Sequence, residues 1–370
     1  MLSRLNRDVN QRYNWYYLDE TQRCRRRGHQ RTGNFRSKAI HGVFDFSTMY
    51  TALPHDHPVH GLKQRMTNLL IRFFNRHEDG YLIINHDEEE VRWQKGVRTV
   101  DNNGNVTLQP PTVDHNSYAL DSPTLIQWMN QLVDNCFLLF GTDTIWRQVV
   151  GLPMGEACSG MLANLFLYSY ELEFMEKLMA RRMYATAQKF LYTVRYIDDV
   201  GTYNNREFKS RRYIEEAKDN IGIYPKQFLT LKEERKPAHS PGGRLLDLFI
   251  HTDDNSCTYV CNAITESQDN RPKRDPKYPT NDTLLADRSK YGIVLGEGTR
   301  FRRLCTQWSV YTELCGDMMY AMYRHGYDMC KVRRMLRRTT ATTMFHYNKT
   351  TGDSYHAALR RLRARIDGAP

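Results

Sequence analysis

Apolar positions recur along this chain with two periods. Across "PVHGLKQRMTNLLIRFFNRH" (58–77), Leu62, Met66, Leu69 and Leu70 share one face and Phe73 follows, which predicts a helix. "SPTLIQWMNQLVDNCF" (122–137) predicts another, with Ser122 as N-cap and Pro123 as its first residue. In "GLPMGEACSGMLANLFLYSYELEFMEKLMARR" (151–182) a Gly/Pro turn feeds a long amphipathic helix. Its face holds Leu162, Leu165, Phe166, Ser169, Tyr170 and Phe174. "SRRYIEEAKDNI" (210–221) reads as a helix. From Gly298 to Gly326 a long helix carries a packing stripe of Leu304, Trp308, Tyr311, Cys315, Met318 and Met322, with Gly326 as the residue that ends it. "DMCKVRRMLRR" (328–338) continues as a basic helix.

Period two marks the strands. "AIHGVFDFSTMYTALPH" (39–55) reads as a strand entering a turn, stopped by Pro54. "FLLFGTDTIWRQVV" (137–150) and "LYTVRYIDDVGTYN" (191–204) read as hairpins. "FLTLKEE" (228–234), "RLLDLFIHT" (244–252) and "CTYVCN" (257–262) read as single strands. Residues 78–117 form a polar hairpin insertion, with "DGYLIIN" and "GNVTLQ" as strands and "DEEE" and "DNNGN" as turns. A polar, Pro-rich connector covers 264–290. Strands and helices alternating around hairpins, followed by helices, make an α+β chain.

Composition narrows the class. The chain has 370 residues, 40% of them hydrophobic, enough for two or three units with cores. No apolar run reaches membrane-spanning length, and the first residues lack a signal-peptide stretch, so the expectation is an intracellular protein of nucleus or cytoplasm without a membrane partner. The eight cysteines form no CxxC pair and read as buried free thiols. Net charge is +11, divided unevenly: +7 over residues 1–40, +9 over 300–370, and −5 between. Basic ends around an acidic centre suit a protein that grips a polyanion at its edges and holds cations in the middle.

The candidate cation site is the adjacent pair Asp198 and Asp199. The chain holds a second such pair, Asp253 and Asp254, which reads as a polar loop. The first pair differs in its setting, between Tyr196 and Ile197 on one side and Val200 on the other. Like charges at the tip of two apolar arms repel, and a divalent cation relieves that. Asp45, at the end of its own strand, is the candidate third ligand. Three carboxylates on neighbouring strands suit two magnesium ions, one activating a hydroxyl and one stabilising a leaving oxygen.

"FDFSTMYTALPH", "GLPMGEACSGMLANLFLYSYELEF" and "YIDDV", in that order, resemble motifs A, B and C of reverse transcriptases. "IYPKQFLTLKEE" resembles motif D, "LLDLFI" the primer grip of motif E, and "YGIVLGEGTRFRRLC" the start of the thumb. The style is closest to Penelope-like retroelement enzymes, and the resemblance covers roughly residues 14–340.

The resemblance implies a right-hand polymerase: an antiparallel palm sheet with packed helices over 39–263, the insertion at about 78–117, and a helical thumb over 291–340. A basic remnant of incomplete fingers (1–38) would precede them and a basic tail (341–370) follow. Arg23, Arg25, Arg26, Arg27, Arg31 and Arg36 of that remnant are candidates to replace part of the missing fingers. The implied metal ligands are Asp45, Asp198 and Asp199, with Phe46 beside them, holding two Mg²⁺ or Mn²⁺. Tyr50 stands where the family has an aromatic steric gate against a ribose 2′-hydroxyl. Gly151, Pro153 and Gly155 would form the turn that approaches the nucleotide, with Ser159 and Asn164 on the helix after it. Lys232 matches the lysine that protonates pyrophosphate, with Lys226 the weaker match. Leu246, Asp247 and Leu248 would hold the primer end. Arg302, Arg303, Arg324, Lys331, Arg333 and Arg334 would hold the nucleic-acid backbone. Ser159-Gly160 departs from the family's Ser-Pro or Ala-Pro, and Met154 from its frequent Gln.

The implied activity is RNA-directed DNA polymerisation, adding dNTPs to a DNA or RNA primer on an RNA template. The alternative is an inactive, truncated or domesticated polymerase-like protein that only binds nucleic acid. An RNA-directed RNA polymerase is disfavoured by Tyr50. Nothing in the chain points to a protein partner.

Overall fold

A computed structural model describes residues 16–17, 41–85, 90–101, 103–141, 144–153, 158–190, 193–203, 205–233, 243–246, 248–253, 258–263, 278–305, 308–341 and 359–364. The basic arginines of 1–38, the acidic turn at 86–89 and most of the connector and tail lie outside the described residues. Helices and small, mostly antiparallel sheets mix, so the chain is α+β. Two compact units form. One comprises residues 1–17, 44–199 and 205–232; the other comprises 18–43, 200–204 and 233–370.

A five-stranded sheet carries the candidate site. Its strands are β1 (Tyr16–Tyr17), β2 (His41–Phe46), β10 (Thr193–Tyr196), β11 (Asp199–Tyr203) and β12 (Leu231–Glu233), in the order β1-β10-β11-β2-β12. The hairpin expected at 191–204 is therefore present, and the Asp45 strand lies beside it.

The insertion is built differently from the expectation. Strand β3 (Gly80–Asn85) pairs with β4 (Glu90–Lys95) and with β7 (Ser117–Leu120), both antiparallel. The "GNVTLQ" strand, β6 (Val106–Gln109), instead pairs with β5 (Val97–Val100). Burial explains the choice: Tyr81, Leu82 and Ile83 enter the core, whereas every residue of β6 is exposed. The "DNNGN" turn forms as expected, with Asp101 Oδ1 accepting from the amides of Asn103 and Asn105. The β8 (Phe137–Phe140) and β9 (Thr144–Arg147) hairpin also forms.

Helices α1 (Met49–Ala52), α2 (Leu62–Phe74), α3 (Ser122–Asp134) and α4 (Ser159–Ala180) complete the neighbourhood of the site. The N-cap of α3 is Asp121, whose carboxylate accepts from Thr124 N–H at 2.9 Å; Ser122 is already inside the helix. A carboxylate also suits the positive end of the helix dipole. Helix α4 is not amphipathic, since Leu162, Leu167, Tyr168, Leu172 and Phe174 are buried on different sides. A helix covered all round belongs to the core. After α5 (Tyr184–Phe190), only α6 (Phe208–Arg211) is helical where 210–221 reads as a helix. There Ile214 N–H turns to the Tyr224 carbonyl at 2.9 Å, and Asp219 caps the amide of Ile221.

In the second unit, "RLLDLFIHT" is two strands, β13 (Gly243–Leu245) and β14 (Leu248–Asp253), antiparallel with Leu245 opposite Leu248. Leu246 takes φ +54° between them. Strand β15 (Thr258–Ala263) pairs with β14 along six residues. The long helix from 298 is two helices, α7 (Asp287–Leu304) and α8 (Trp308–Arg324), separated at Cys305, whose backbone is extended. Helix α9 (Met329–Ala341) follows Gly326 at φ +75°. The expected stripe is buried at Leu304, Tyr311, Cys315, Met318 and Met322, joined by Val294, Phe301, Val332 and Leu336. Burial pushes the Cys315 thiol up to about 12, so it packs as an apolar group.

Candidate active site

Strand β2 is buried from residue 42 to 46 except at Asp45, which is partly exposed. Phe44 and Phe46 enter the core, with the Phe44 ring 4.9 Å from Phe208 and Phe46 edge-on to Tyr224 at 4.9 Å. Asp45, between them, faces the other way and is partly exposed. The strand end is tied on both sides. Phe46 N–H donates to the Asp198 carbonyl at 3.1 Å, and Ser47 N–H to the Thr230 carbonyl at 3.2 Å.

Those ties bring Asp45, Asp198 and Lys232 into one electrostatic group. Burial holds the Asp45 carboxyl above the ordinary aspartate range, the Asp198 charge raises it further, and the Lys232 ammonium opposes them. The Tyr50 phenol is also held up, by burial first and then by Asp198 and Tyr196, so it stays protonated beside the carboxylates.

The glycine turn joins the same neighbourhood. Gly151 has φ +86°; its N–H donates to Leu53 O at 2.7 Å, and Leu152 N–H donates to Tyr50 O at 2.7 Å. A Cβ at Gly151 would collide with the Tyr50 carbonyl, so both conformation and space demand glycine. The buried His55 donates from Nε2 to the Gly151 carbonyl at 2.6 Å. At the start of α4, a Cβ on Gly160 would stand 3.6 Å from the Tyr50 hydroxyl.

The hairpin tip is strained and clamped. Ile197 takes φ +52°, which for a β-branched residue costs about 1–3 kcal/mol and persists only where neighbours over-determine it. The neighbour here is Arg195, fully buried on β10. Its Nε donates to Glu171 Oε1 at 2.5 Å and Nη2 to Glu171 Oε2 at 3.3 Å. Nη1 donates to Asn164 Oδ1 at 2.7 Å and to the Ile197 carbonyl at 2.9 Å, and Nη2 also to the Asn164 carbonyl at 3.1 Å. All five guanidinium N–H groups are thus engaged. Tyr224 donates its hydroxyl to Glu171 Oε1 at 2.7 Å, and burial holds that phenol protonated.

The sequence reading did not single out Arg195, Glu171, Tyr224 or His55. A signal was present: a single positive charge, Arg195, inside the otherwise apolar "YTVRYI", and two negative ones, Glu171 and Glu173, inside "LYSYELEF".

Other expected residues are placed as follows. Asp199 opens β11 directly after the turn. Pro153 is half-buried, and Gly155 lies outside the described residues. Ser159 is buried, and its hydroxyl has no partner among the described residues. Asn164 spends its side-chain oxygen on Arg195. Lys226 pairs with Glu216 at 2.6 Å on the surface. The primer-grip and backbone candidates belong to the second unit. There Leu246 is half-buried, while Asp247 and the side chains of Leu248 and Arg303 lie outside the described residues. Arg302 donates to the Thr339 carbonyl at 2.9 Å and Lys331 pairs with Asp287 at 3.0 Å. Arg324 and Arg334 are exposed, and Arg333 is half-buried.

Among the described residues no three His, Cys, Asp or Glu side chains stand together as a ready-made metal centre. The pair Asp45 and Asp198, close enough to influence one another, would nevertheless suit magnesium, an ion that retains several waters and needs only one or two protein carboxylates. The Asp45 carboxyl is raised by burial first and by the Asp198 charge second, and a cation would offset the second of these. No helix among the described residues is long and apolar enough to cross a membrane. No protein-family model and no curated protein matches the chain.

Proposed function

We propose that the chain is the core of an RNA-directed DNA polymerase of the reverse transcriptase type, with a palm around the five-stranded sheet and a thumb in α7 to α9. The observation that carries this reading is the electrostatic grouping of Asp45, Asp198 and Lys232, from three neighbouring parts of one sheet, with Tyr50 of α1 close enough to feel Asp198. A solvated acidic turn needs no such company.

Asp45 and Asp198, with Asp199 beside them, would hold the divalent metal. When bound, the metal activates the primer 3′-hydroxyl and stabilises the charge on the reacting phosphate. The carboxylates anchor it at the tip, and the hydrogen bond from Phe46 to Asp198 keeps their two strands in step. The Tyr50 ring excludes a ribose 2′-hydroxyl and selects dNTPs. The Gly151 turn lets backbone approach the nucleotide without a side chain between. Lys232 supplies a proton to the departing pyrophosphate. Basic helices of the second unit take the template and primer backbone through salt-sensitive phosphate contacts.

Primer extension on an RNA template with Mg²⁺, comparing dNTPs with rNTPs, tests the reading. Extension with dNTPs that is lost in Asp198→Asn is the expected result. Template binding without extension would favour an inactive nucleic-acid-binding protein, and equal use of rNTPs would remove the role given to Tyr50.

A further inference from the structure

The buried Arg195 has no place in the chemistry above, yet it reaches the turn that presents Asp198. An arginine with no exposed surface, inside a sheet, costs several kcal/mol in desolvation unless its partners are well placed. Hydrophobic residues of the same size would fill the space at no such cost. The charge therefore needs a reason, and the geometry supplies one.

Four of its five N–H groups go to α4, two to Glu171 and two to Asn164. The fifth goes to the carbonyl of Ile197, the strained residue immediately before Asp198. Tyr224, whose ring also packs on Phe46, donates its hydroxyl to the same Glu171 Oε1 that accepts from Arg195 Nε. The carbonyl of Asp198 itself is held by Phe46 N–H. The peptide carbonyls on either side of the Asp198 Cα are thus fixed, one by Arg195 of β10 and one by Phe46 of β2. The strain at Ile197 favours relaxation of the turn to an ordinary conformation, and the guanidinium on its carbonyl opposes that.

We infer that Arg195, seated by Glu171 and Tyr224, is a positioning residue that pre-sets the Asp198 carboxylate for a divalent cation. The role rests on the reading of Asp198 as a metal-binding carboxylate, but not on which reaction the metal serves. A lysine in its place would keep the charge and lose the fork, because one ammonium cannot span Glu171, Asn164 and the Ile197 carbonyl.

Two variants separate positioning from folding. Arg195→Met/Glu171→Leu/Tyr224→Phe removes the whole polar group and leaves no buried charge, so its melting point is expected within about 5 °C of the parent. Arg195→Lys keeps the charge. The probe is Mn²⁺ alone, with binding read from the EPR signal of the free ion. Both variants are expected to bind Mn²⁺ roughly 10- to 100-fold more weakly than the parent, as for loss of a group that orients a ligand. Where the parent extends primers, kcat falls by about as much while KM for dNTP moves little. Parental Mn²⁺ affinity in either folded variant overturns the inference, as does a parent that binds no Mn²⁺. A parent that binds Mn²⁺ but extends no primer removes the polymerase reading and leaves the inference standing if the variants lose that binding.

Discussion

Two turns of this molecule place an apolar, non-glycine residue in the left-handed region just before an aspartate: Ile197 at φ +52° before Asp198, and Leu246 at φ +54° before Asp247. Both connect adjacent strands. The first is held by side chains, a buried guanidinium on its carbonyl and a backbone bond from β2 on the next one. The second joins strands paired at three positions, from Gly243 opposite Ile250 to Leu245 opposite Leu248, and β14 pairs on its other side with β15 from Leu248 to Asp253. Strain in a turn can thus be balanced by a polar clamp or by strand pairing. A clamp on the carbonyl before an aspartate is the kind of support that a preset carboxylate in a metal site needs.

The largest expected effect is on the clamped turn's cargo. Asp45→Asn and Asp198→Asn should each lower primer extension by about 10²–10³-fold, the scale for loss of a group that stabilises transition-state charge. Template affinity should change little, because the phosphate contacts lie elsewhere; single-turnover extension and a filter-binding assay check both parts.

Next comes the glycine whose backbone touches Tyr50. Gly151→Ala should destabilise by about 1–3 kcal/mol from the left-handed backbone alone, with more from the collision at the Tyr50 carbonyl. Denaturant unfolding measures it. A change under half that size would mean the turn can rearrange, and would weaken the argument for glycine there.

A direct comparison of the two turns uses glycine at each. Ile197→Gly and Leu246→Gly should both relieve local strain of about 1 kcal/mol or more, offset in part by the added freedom of the unfolded chain. The two are expected to differ in function. Ile197→Gly leaves the clamp in place but softens the turn, so extension should fall a few-fold even if stability rises. Leu246→Gly should leave Mn²⁺ affinity unchanged. Equal behaviour of the two in Mn²⁺ binding would erase the distinction between clamp and ladder.

The smallest effect is on pH dependence. The Asp45 carboxyl is raised above its ordinary 3.8, so the folded protein holds its proton more tightly than the unfolded chain. That stability is present at low pH and is lost as pH rises through the raised value. In metal-free protein, Asp45→Asn should therefore gain in melting temperature relative to the parent as pH rises from about 4 toward neutrality. Added Mg²⁺ should narrow the gap, because the cation cancels the repulsion from Asp198.

Much of the site's backbone was legible. The strand that carries Asp45 and the hairpin bearing Asp198 follow from local periodicity, because each is a short segment with one dominant pattern, whereas the helix after the glycine turn was legible as a helix but not as one buried on all sides. Other elements were misread for identifiable reasons. "RLLDLFIHT" has continuous strand propensity, and no glycine or asparagine announces its turn. "SRRYIEEAKDNI" has helical composition, but the ring and hydroxyl of Tyr213 are drawn to Leu231, which keeps the segment open. In the second unit, the stripe from Leu304 to Met322 was right in its spacing and wrong in continuity, because spacing does not register an extended residue at Cys305.

By itself the sequence determined the α+β class, the strands and helices nearest the candidate site, and the carboxylates, aromatic and glycines that stand at their ends. Those depend on neighbours within a few positions, where pattern and chemistry coincide. Tertiary structure alone decided that Asp45, Asp198 and Lys232 share one electrostatic environment, that Gly151 lies against Tyr50, and that Arg195 reaches Glu171, Asn164 and the Ile197 carbonyl. Each of these pairings except Arg195 with Ile197 joins residues far apart in the chain. They form because a buried charge or hydrogen-bonding group must find its partner wherever the fold supplies one.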